Sequence, residues 1–538
     1  MIETKRRKKM KSNIFKYVFF LFVIILIGYA IYLFSHHETE EQQQPEEQTS
    51  QLPIEKITNI RLGIAEYDTM NPILSNNRNV QEISPLIFES LLAIDQDYRI
   101  QTKLAKEWSR TSATSYVIKL KDNIKWQNGT QFTAYDVKFT IDLLKQIPSI
   151  YAYNVQYVTG VEVLDATTIK ITLSKEIPFF EYYLTFPIMC NNYYEGEEFK
   201  TSSHIPIGTG MFKISTIENN TILLEKNSNY WNIEQMNPVL EKITISLYES
   251  MGEVYNSFKI GNIDLINTNV TNIEEYVGTI GFIKKEYKGR EFDFLALNCA
   301  DSILNKKEVR QAISYAIDKW YLVSSVYQNK YDIADFPLDY GNYAYEQTRD
   351  AATYQRDGIA KLLQENGWKL KNKVWQKKEN DKTIKLSFSL VVKQSDTNRV
   401  KVAEMIQNSL QEVGIQITLK KVSDKEYNTY LEKKNYDILL TGTYNSYSPD
   451  VSFYLAEGNL ANFREETCID LLNEIKGITD EQLLKEKMKQ IVAIYQEEVP
   501  YIGLYRNRQT AIISPNLVGK IEPNNANLFY HIENWYRQ

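Results

Sequence analysis

YVIKLKDNIKWQNGTQFTAYDVKFTIDLL, residues 116–144, decides how the chain is read. Tyr116–Leu120 and Ile124–Trp126 are short runs of β-branched and aromatic residues, with Asp122 and Asn123 suited to the bend between them, so two short strands are predicted. Asn128-Gly129 supplies a turn. Thr133-Ala134-Tyr135-Asp136 then has the form of a capping box, which predicts a helix running through Leu144. Strand, turn and helix in one stretch point to a mixed α/β chain.

The same alternation continues outward. Val161–Val163 and Thr168–Leu173 form a strand pair around Asp165, and Thr221–Glu225 is a further strand. Val309, Ala312, Ile313, Ala316, Ile317 and Trp320 recur at helical spacing, predicting one amphipathic helix. Val402, Met405, Ile406, Leu410 and Val413 do the same. Gly414 ends that helix, and Ile415, Ile417 and Leu419 alternate as a strand. Hairpins dominate early and helix–strand alternation late, so two lobes of mixed architecture are expected. No fixed-period repeat is present, which argues against solenoids and propellers.

A chain of 538 residues corresponds to two to four compact units at roughly 100–200 residues each. With 43% apolar residues it has the material for large cores. Its 62 basic and 68 acidic residues are unevenly placed. Residues 1–34 hold seven basic groups and one acid, and removing them leaves 55 basic against 67 acidic residues, a formal −12. An acidic body repels phosphate backbones, so no nucleic-acid partner is expected.

Tyr17–Phe34 is an 18-residue run without charge, preceded by a basic cluster. That length reaches across a bilayer as a helix, and the charge bias keeps residues 1–16 in the cytoplasm and exports the remainder. The alternative is a cleaved signal peptide, but no small-x-small site follows the run and no cysteine is there to carry a lipid. An uncleaved single-pass anchor is therefore expected. Residues 35–56, dense in Glu and Gln and without aromatics, read as a disordered stalk, with order starting near Ile57.

Cys190, Cys299 and Cys468 are too few and too far apart for a disulfide framework and read as buried free thiols. Beyond the stalk only His204 and His531 remain, leaving no ordinary zinc pair and no basic partner for a cysteine nucleophile. Neither a phosphate-cradling glycine loop nor a G-x-S-x-G elbow is present. The chain is read as a non-enzyme without cofactor or metal.

LIFESLLAIDQDYRIQTKLAKEWSR (86–110), followed by the opening stretch, resembles the start of the extracytoplasmic solute-binding proteins of the oligopeptide and dipeptide class, family 5, which serve ABC importers. IGTGMFKI (207–214), LLEKNSNYW (223–231), SFKIGNIDL (257–265), FLALN with VRQAISYAIDK (309–319), GIAKLLQENGW (358–368), EVGIQITL (412–419) and VPYIGLYRN (499–507) continue the resemblance in order. It implies an α/β, two-lobed periplasmic-binding-protein-like fold, here preceded by the N-terminal transmembrane helix. By analogy lobe I spans 57–290, with an extra subdomain at about 97–200, lobe II spans 291–504, and 505–538 return to lobe I. The crossovers fall at Phe292–Asn298 and Tyr501–Arg508. The implied function is a membrane-anchored, extracellular, monomeric receptor that delivers a peptide or peptide-like solute to ABC permease subunits. A solute sensor or interaction protein on the same fold is the alternative.

Most motif residues read as scaffold: Gly129, Gly208, Gly210 and Gly414 serve turns and caps, Arg310 and Asp318 pin a helix, and Trp108, Trp126 and Trp231 pack. The 38 tyrosines fit a Tyr-lined cleft, but codon bias gives the same count and accounts for most of them. The resemblance places ligand at the loop after YDILLTG (436–442), where Tyr444, Asn445, Ser446, Tyr447 and Asp450 are candidates. Peptide-binding members carry a Trp-x-x-Asp pattern there, whose Asp meets the peptide ammonium; this chain has Asn445 or Ser446 instead. Asp450 substitutes if the loop bends back, or else Pro449-Asp450 is an ordinary turn. Tyr67, Asp68 and Met70 on the opposite lip, and Asn298 at the end of the first crossover, complete the set.

Overall fold

The computed structural model describes residues 59–194, 198–202, 204–236, 240–278, 280–339, 341–346 and 354–538. The chain divides into two units, Met1–Glu55 and Lys56–Gln538. The basic segment 1–16, the expected anchor 17–34, the stalk 35–56 and the expected onset of order at Ile57 lie outside the described residues. Among the described residues no helix is long and apolar enough to cross a membrane.

One large mixed sheet organises the second unit. Its order is Gln416–Val422, Ser387–Lys393, Ile438–Tyr444, Ile283–Leu297, Tyr501–Ile513, Leu265–Thr268, Asn59–Ala65, Lys242–Tyr248, Thr221–Lys226 and Phe212–Glu218. Asn59–Ala65 runs parallel to Lys242–Tyr248, and Ser387–Lys393 parallel to Gln416–Val422. The helix Thr397–Glu412 connects that second pair; Asp396 caps its start by accepting from Arg399 N at 3.0 Å. Asp424–Lys433 follows as a second helix, opened by the reciprocal Ser423–Glu426 capping box. Both late helices therefore start where polar caps sit beside apolar periodicity.

The two long central strands join the halves of this sheet. Ile283–Lys288 pairs with Arg508–Ile513, which on its far edge meets Leu265–Thr268; Phe292–Ala296 pairs with Tyr501–Arg506 and, on its other edge, with Ile438–Tyr444. Register breaks between Lys288 and Phe292. At that bulge Glu291 N donates to Asn507 Oδ1 at 3.0 Å, and a Cβ on Gly289 would overlap the same amide. Only glycine lets the strands close around the bulge.

Separate cores flank the two halves. One gathers Leu62, Ile118, Trp126, Ile141, Phe212, Ile245, Ala511, Phe529 and Trp535, so the last residues pack with the first strands. Two others, around Ile313, Leu390, Ile406 and Leu440 and around Phe294, Phe336, Leu472 and Tyr501, cover the opposite faces of the 387–444 strands. A four-stranded sheet, Ala105–Ser112, Ser115–Leu120, Thr168–Leu173 and Val158–Asp165, stands apart from the large one.

The predicted helix Ala134–Leu144 forms, with Thr133 N donating to Asp136 Oδ2 at 2.8 Å. The hairpin around Asp165 and the strand from Thr221 form as well. Ile124–Trp126 is not a strand. Asn123 takes a positive φ of 62°, and Trp126 N bonds to Thr130 O at 2.8 Å, so the segment folds back on itself. Trp126 is buried all the same. The predicted single helix at 309–320 is two, Lys307–Tyr315 and Lys319–Tyr327, because Asp318 turns its carboxylate to Tyr321 N at 3.0 Å and caps the second. Trp320 consequently faces solvent, 61% exposed. Arg310 is buried, and holds Leu304 O and Asn305 O at 2.9 Å and Glu498 at 3.0 Å. The three thiols are free, with Cys190 and Cys468 buried and Cys299 half-buried. Burial pushes them up to about 11 for Cys190 and Cys299 and about 12 for Cys468, which removes thiolate character.

Candidate ligand-binding site

A cleft of about 2,030 Å³ lies alongside the central bulge. Its walls come from the helix Arg78–Ile83 and its continuation, the segments 150–157 and 175–187, the strand residues Gly289–Glu291, the loop 443–456 and the C-terminal stretch 524–530. The Arg78–Ile83 helix is fixed at its start by Asn77, whose Oδ1 accepts from Asn79 N at 2.9 Å and Val80 N at 3.2 Å. That cap presents Arg78, Gln81 and Glu82 along one wall.

The wall polar groups are mostly engaged. Arg78 donates to Glu82 at 2.9 Å and to Gln509 at 2.7 Å, while Asn267 donates to Glu82 at 2.8 Å and receives the Tyr287 hydroxyl at 2.7 Å. Burial raises the Glu82 carboxyl above its ordinary range, with Arg78 opposing the shift. Tyr151 donates to Gln81 at 2.7 Å. Tyr153 and Tyr183 stack with their hydroxyls 3.1 Å apart, and Lys175 Nζ stands 4.6 Å over the Tyr157 ring. Among the described residues ten tyrosines line the cleft.

The loop residues expected at the site lie on this wall, but in different roles. Tyr444 is 64% exposed to the cleft. Asn445 is buried and turned inward: its Oδ1 accepts from Thr443 Oγ1 at 2.8 Å and Tyr454 OH at 2.6 Å, and its Nδ2 donates to Pro337 O. It holds the loop and offers little to a ligand. Ser446 accepts from Ser448 N at 3.1 Å, and the Tyr447 hydroxyl donates to Asn525 O. Asp450 lines the cleft and accepts from Ser452 N at 2.9 Å, starting the turn of helix Ser452–Leu455. Burial raises its carboxyl, with the Ser452 hydrogen bonds opposing.

The lip residues and Asn298 do not line the cleft. Met70 is a core side chain, 1% exposed. The Asp68 carboxylate is taken by its own loop, accepting from Thr69 N and Ser75 Oγ at 2.7 Å and Asn76 N at 2.9 Å. Tyr67 accepts from Met70 N at 3.1 Å. Asn298 bridges Tyr436 O and Asn462, each at 2.9 Å. Their placement beside the sheet was legible, but not that Tyr67 and Asp68 bond within their own loop, that Met70 packs in the core or that Asn298 ties to the distant Tyr436 and Asn462.

Sequence reasoning passed over Arg78, Glu82 and Arg290. Arg290 lies at the bulge, its Nε donating to Asn445 O at 2.7 Å while its own carbonyl accepts from Asn445 N at 2.9 Å. The available signal was the charged Lys-Gly-Arg-Glu run (288–291) interrupting the middle of the long strand Ile283–Leu297.

Residues 99–461 match the model of the bacterial extracellular solute-binding proteins, family 5. The oligopeptide-binding protein AppA of Bacillus subtilis (strain 168) is 23% identical over 502 residues, 88% of this chain and 90% of that protein. The nickel-binding periplasmic protein of Escherichia coli (strain K12) is 22% identical over 447 residues, 79% of this chain and 82% of that one. The solved structure of MppA, a periplasmic murein tripeptide binding protein in an unliganded open form, superposes with a TM-score of 0.77 at 18% identity. It covers 89% of this chain and 97% of its own, a shared two-lobed fold.

Proposed function

Because this chain belongs to family 5 of the bacterial extracellular solute-binding proteins, we propose that it takes up a peptide or peptide-like solute outside the cytoplasm and delivers it to an ABC permease. The family is one of binding proteins, not enzymes. The observation that carries the substrate class is the cleft volume of about 2,030 Å³, roughly twice the upper end of the ~300–1,000 Å³ typical for drug-sized ligands. A bare divalent cation would meet no cluster of three His, Cys, Asp or Glu side chains among the described residues.

In this reading lobe I is 57–290, with its extra subdomain at about 97–200 and the return 505–538, and lobe II is 291–504. The segments 292–298 and 501–508 are the crossovers about which a monomer closes. Tyr444, Tyr447 and Asp450 face the solute, and Asn445 braces their loop. Binding is reversible, and a ligand favours closure only by its greater affinity for the closed form. Mass spectrometry of small molecules released by denaturing the purified chain tests the substrate class. Peptides are the expected release; a metal complex or haem in their place would sink it.

Residues 17–34 anchor the protein in this proposal, the basic cluster 1–16 staying inside. The protein in cells is expected to retain that segment and stay with membranes through a high-salt wash. A chain beginning between residues 31 and 56 would overturn the anchor and leave the binding function untouched.

A further inference from the structure

On the cleft wall Arg290 is held in one orientation by its neighbours. Its guanidinium carbon stands 3.8 Å over the Tyr447 ring and 4.5 Å over the Tyr444 ring. Its Nε is tied to Asn445 O at 2.7 Å, and the return bond from Asn445 N fixes the backbone beneath it. Among the described residues, no carboxylate pairs with it. By contrast Glu82 is paired with Arg78, Glu89 with Lys103 and Glu176 with Arg110. Glu291, the next residue, also lines the cleft; burial and the neighbouring Asp293 raise its carboxyl, Arg399 and Arg78 oppose the shift, and no ion pair joins it to Arg290 among the described residues.

A planar cation clamped between two aromatic rings and hydrogen-bonded on one edge presents its remaining N–H groups in a fixed fork. That fork matches a carboxylate, which accepts two parallel hydrogen bonds. Its rotamer is already set, so little side-chain entropy remains to be lost on binding. We propose that Arg290 is the ligand anchor of this cleft, seating a carboxylate of the bound peptide between Tyr444 and Tyr447. The inference rests on the peptide reading above and moves recognition from the amino end, where the loop offers no free acid at Asn445, to an acidic group.

A peptide carboxylate comes from the C-terminus or from an Asp or Glu side chain, and three probes separate these. The purified full chain is offered randomised pentapeptide pools: free acids lacking Asp and Glu, the corresponding C-terminal amides, and amides with one Glu. Bound peptide is measured by native mass spectrometry and competition. Loss of the only carboxylate should weaken retention roughly 10- to 100-fold, the span expected for hydrogen bonds to a charged group. Retention of the free acids alone assigns the site to the C-terminus, and retention of the Glu-containing amides assigns it to a side chain. Amides without Glu binding as tightly as the acids overturn the carboxylate anchor while leaving the peptide reading intact. Binding of no pool overturns both. Arg290→Gln should abolish the acid preference and Arg290→Lys restore part of it. A preference unchanged in Arg290→Gln places the anchor elsewhere. Since the acid–amide comparison uses unaltered protein, a folding defect cannot imitate the expected result.

Discussion

Asp264→Ala should lower folding stability by about 3–5 kcal/mol, the range for removing one partner of a buried ion pair. Asp264 is fully buried and accepts from the Arg61 guanidinium at 2.7 and 3.2 Å, from Arg61 N at 2.8 Å and from Arg537 Nε at 3.0 Å. Its own backbone continues the tie, with Asp264 N bonded to Arg61 O and Ser514 N bonded to Asp264 O, each at 2.8 Å. One carboxylate therefore joins the first strand, the segment before Leu265–Thr268 and the C-terminus. Without it two guanidinium groups, 25% and 17% exposed, lose their counter-charge together. Arg61→Ala should cost less, since Arg537 keeps the carboxylate paired. Urea unfolding followed by tryptophan fluorescence reads both variants; a change below about 1 kcal/mol for Asp264→Ala would contradict the account.

Asp264 shows how far the sequence was legible. The stretch that holds it, SFKIGNIDL, was recognised as a motif, but its role was not, because the two arginines it meets lie 203 and 273 positions away. Local features read better: the capping box at Thr133, the Asp165 hairpin and the glycine-ended helix before Ile415 all depend on residues within a few positions of one another. Failures came where an apolar period ran through a cap. Asp318 splits the 309–320 pattern because its side chain satisfies Tyr321 N, an outcome periodicity does not weigh.

The cleft was harder for a different reason. Placing Asn445 on the ligand loop follows from the strand before it, but the direction of its side chain is set by Thr443, Tyr454 and Pro337, the last 108 positions away. Arg290 depends on a contact 155 positions distant. A single chain without its partners in view carries no periodic or capping signal for such pairings. The tyrosine count carried no positions: among the described residues ten tyrosines line the cleft, and composition alone could not say which.

Glu89, in the motif stretch LIFES, offers the second large effect and a sharper chemical test. Its buried carboxylate receives Lys103 Nζ at 3.0 Å, Thr209 Oγ1 and Trp231 Nε1 at 2.9 Å and Tyr230 OH at 3.3 Å. Burial acts to lower the Lys103 ammonium, yet Glu89 and Tyr230 hold it above its ordinary range. A raised lysine contributes fully below its unfolded value of about 10.4, so this stabilisation is complete at neutral pH and is lost only as pH rises through the higher folded value. Glu89→Ala should cost about 3–5 kcal/mol. Glu89→Gln keeps the shape but should recover little, because its amide hydrogens would point at groups that are themselves donors. Adding Lys103→Met to Glu89→Gln removes the stranded ammonium, so the double variant should be at least about 1 kcal/mol more stable than the sum of the single changes. Urea midpoints of the four proteins complete the cycle. Full recovery by Glu89→Gln alone would show that shape, and not the negative charge, holds this wall of the cleft.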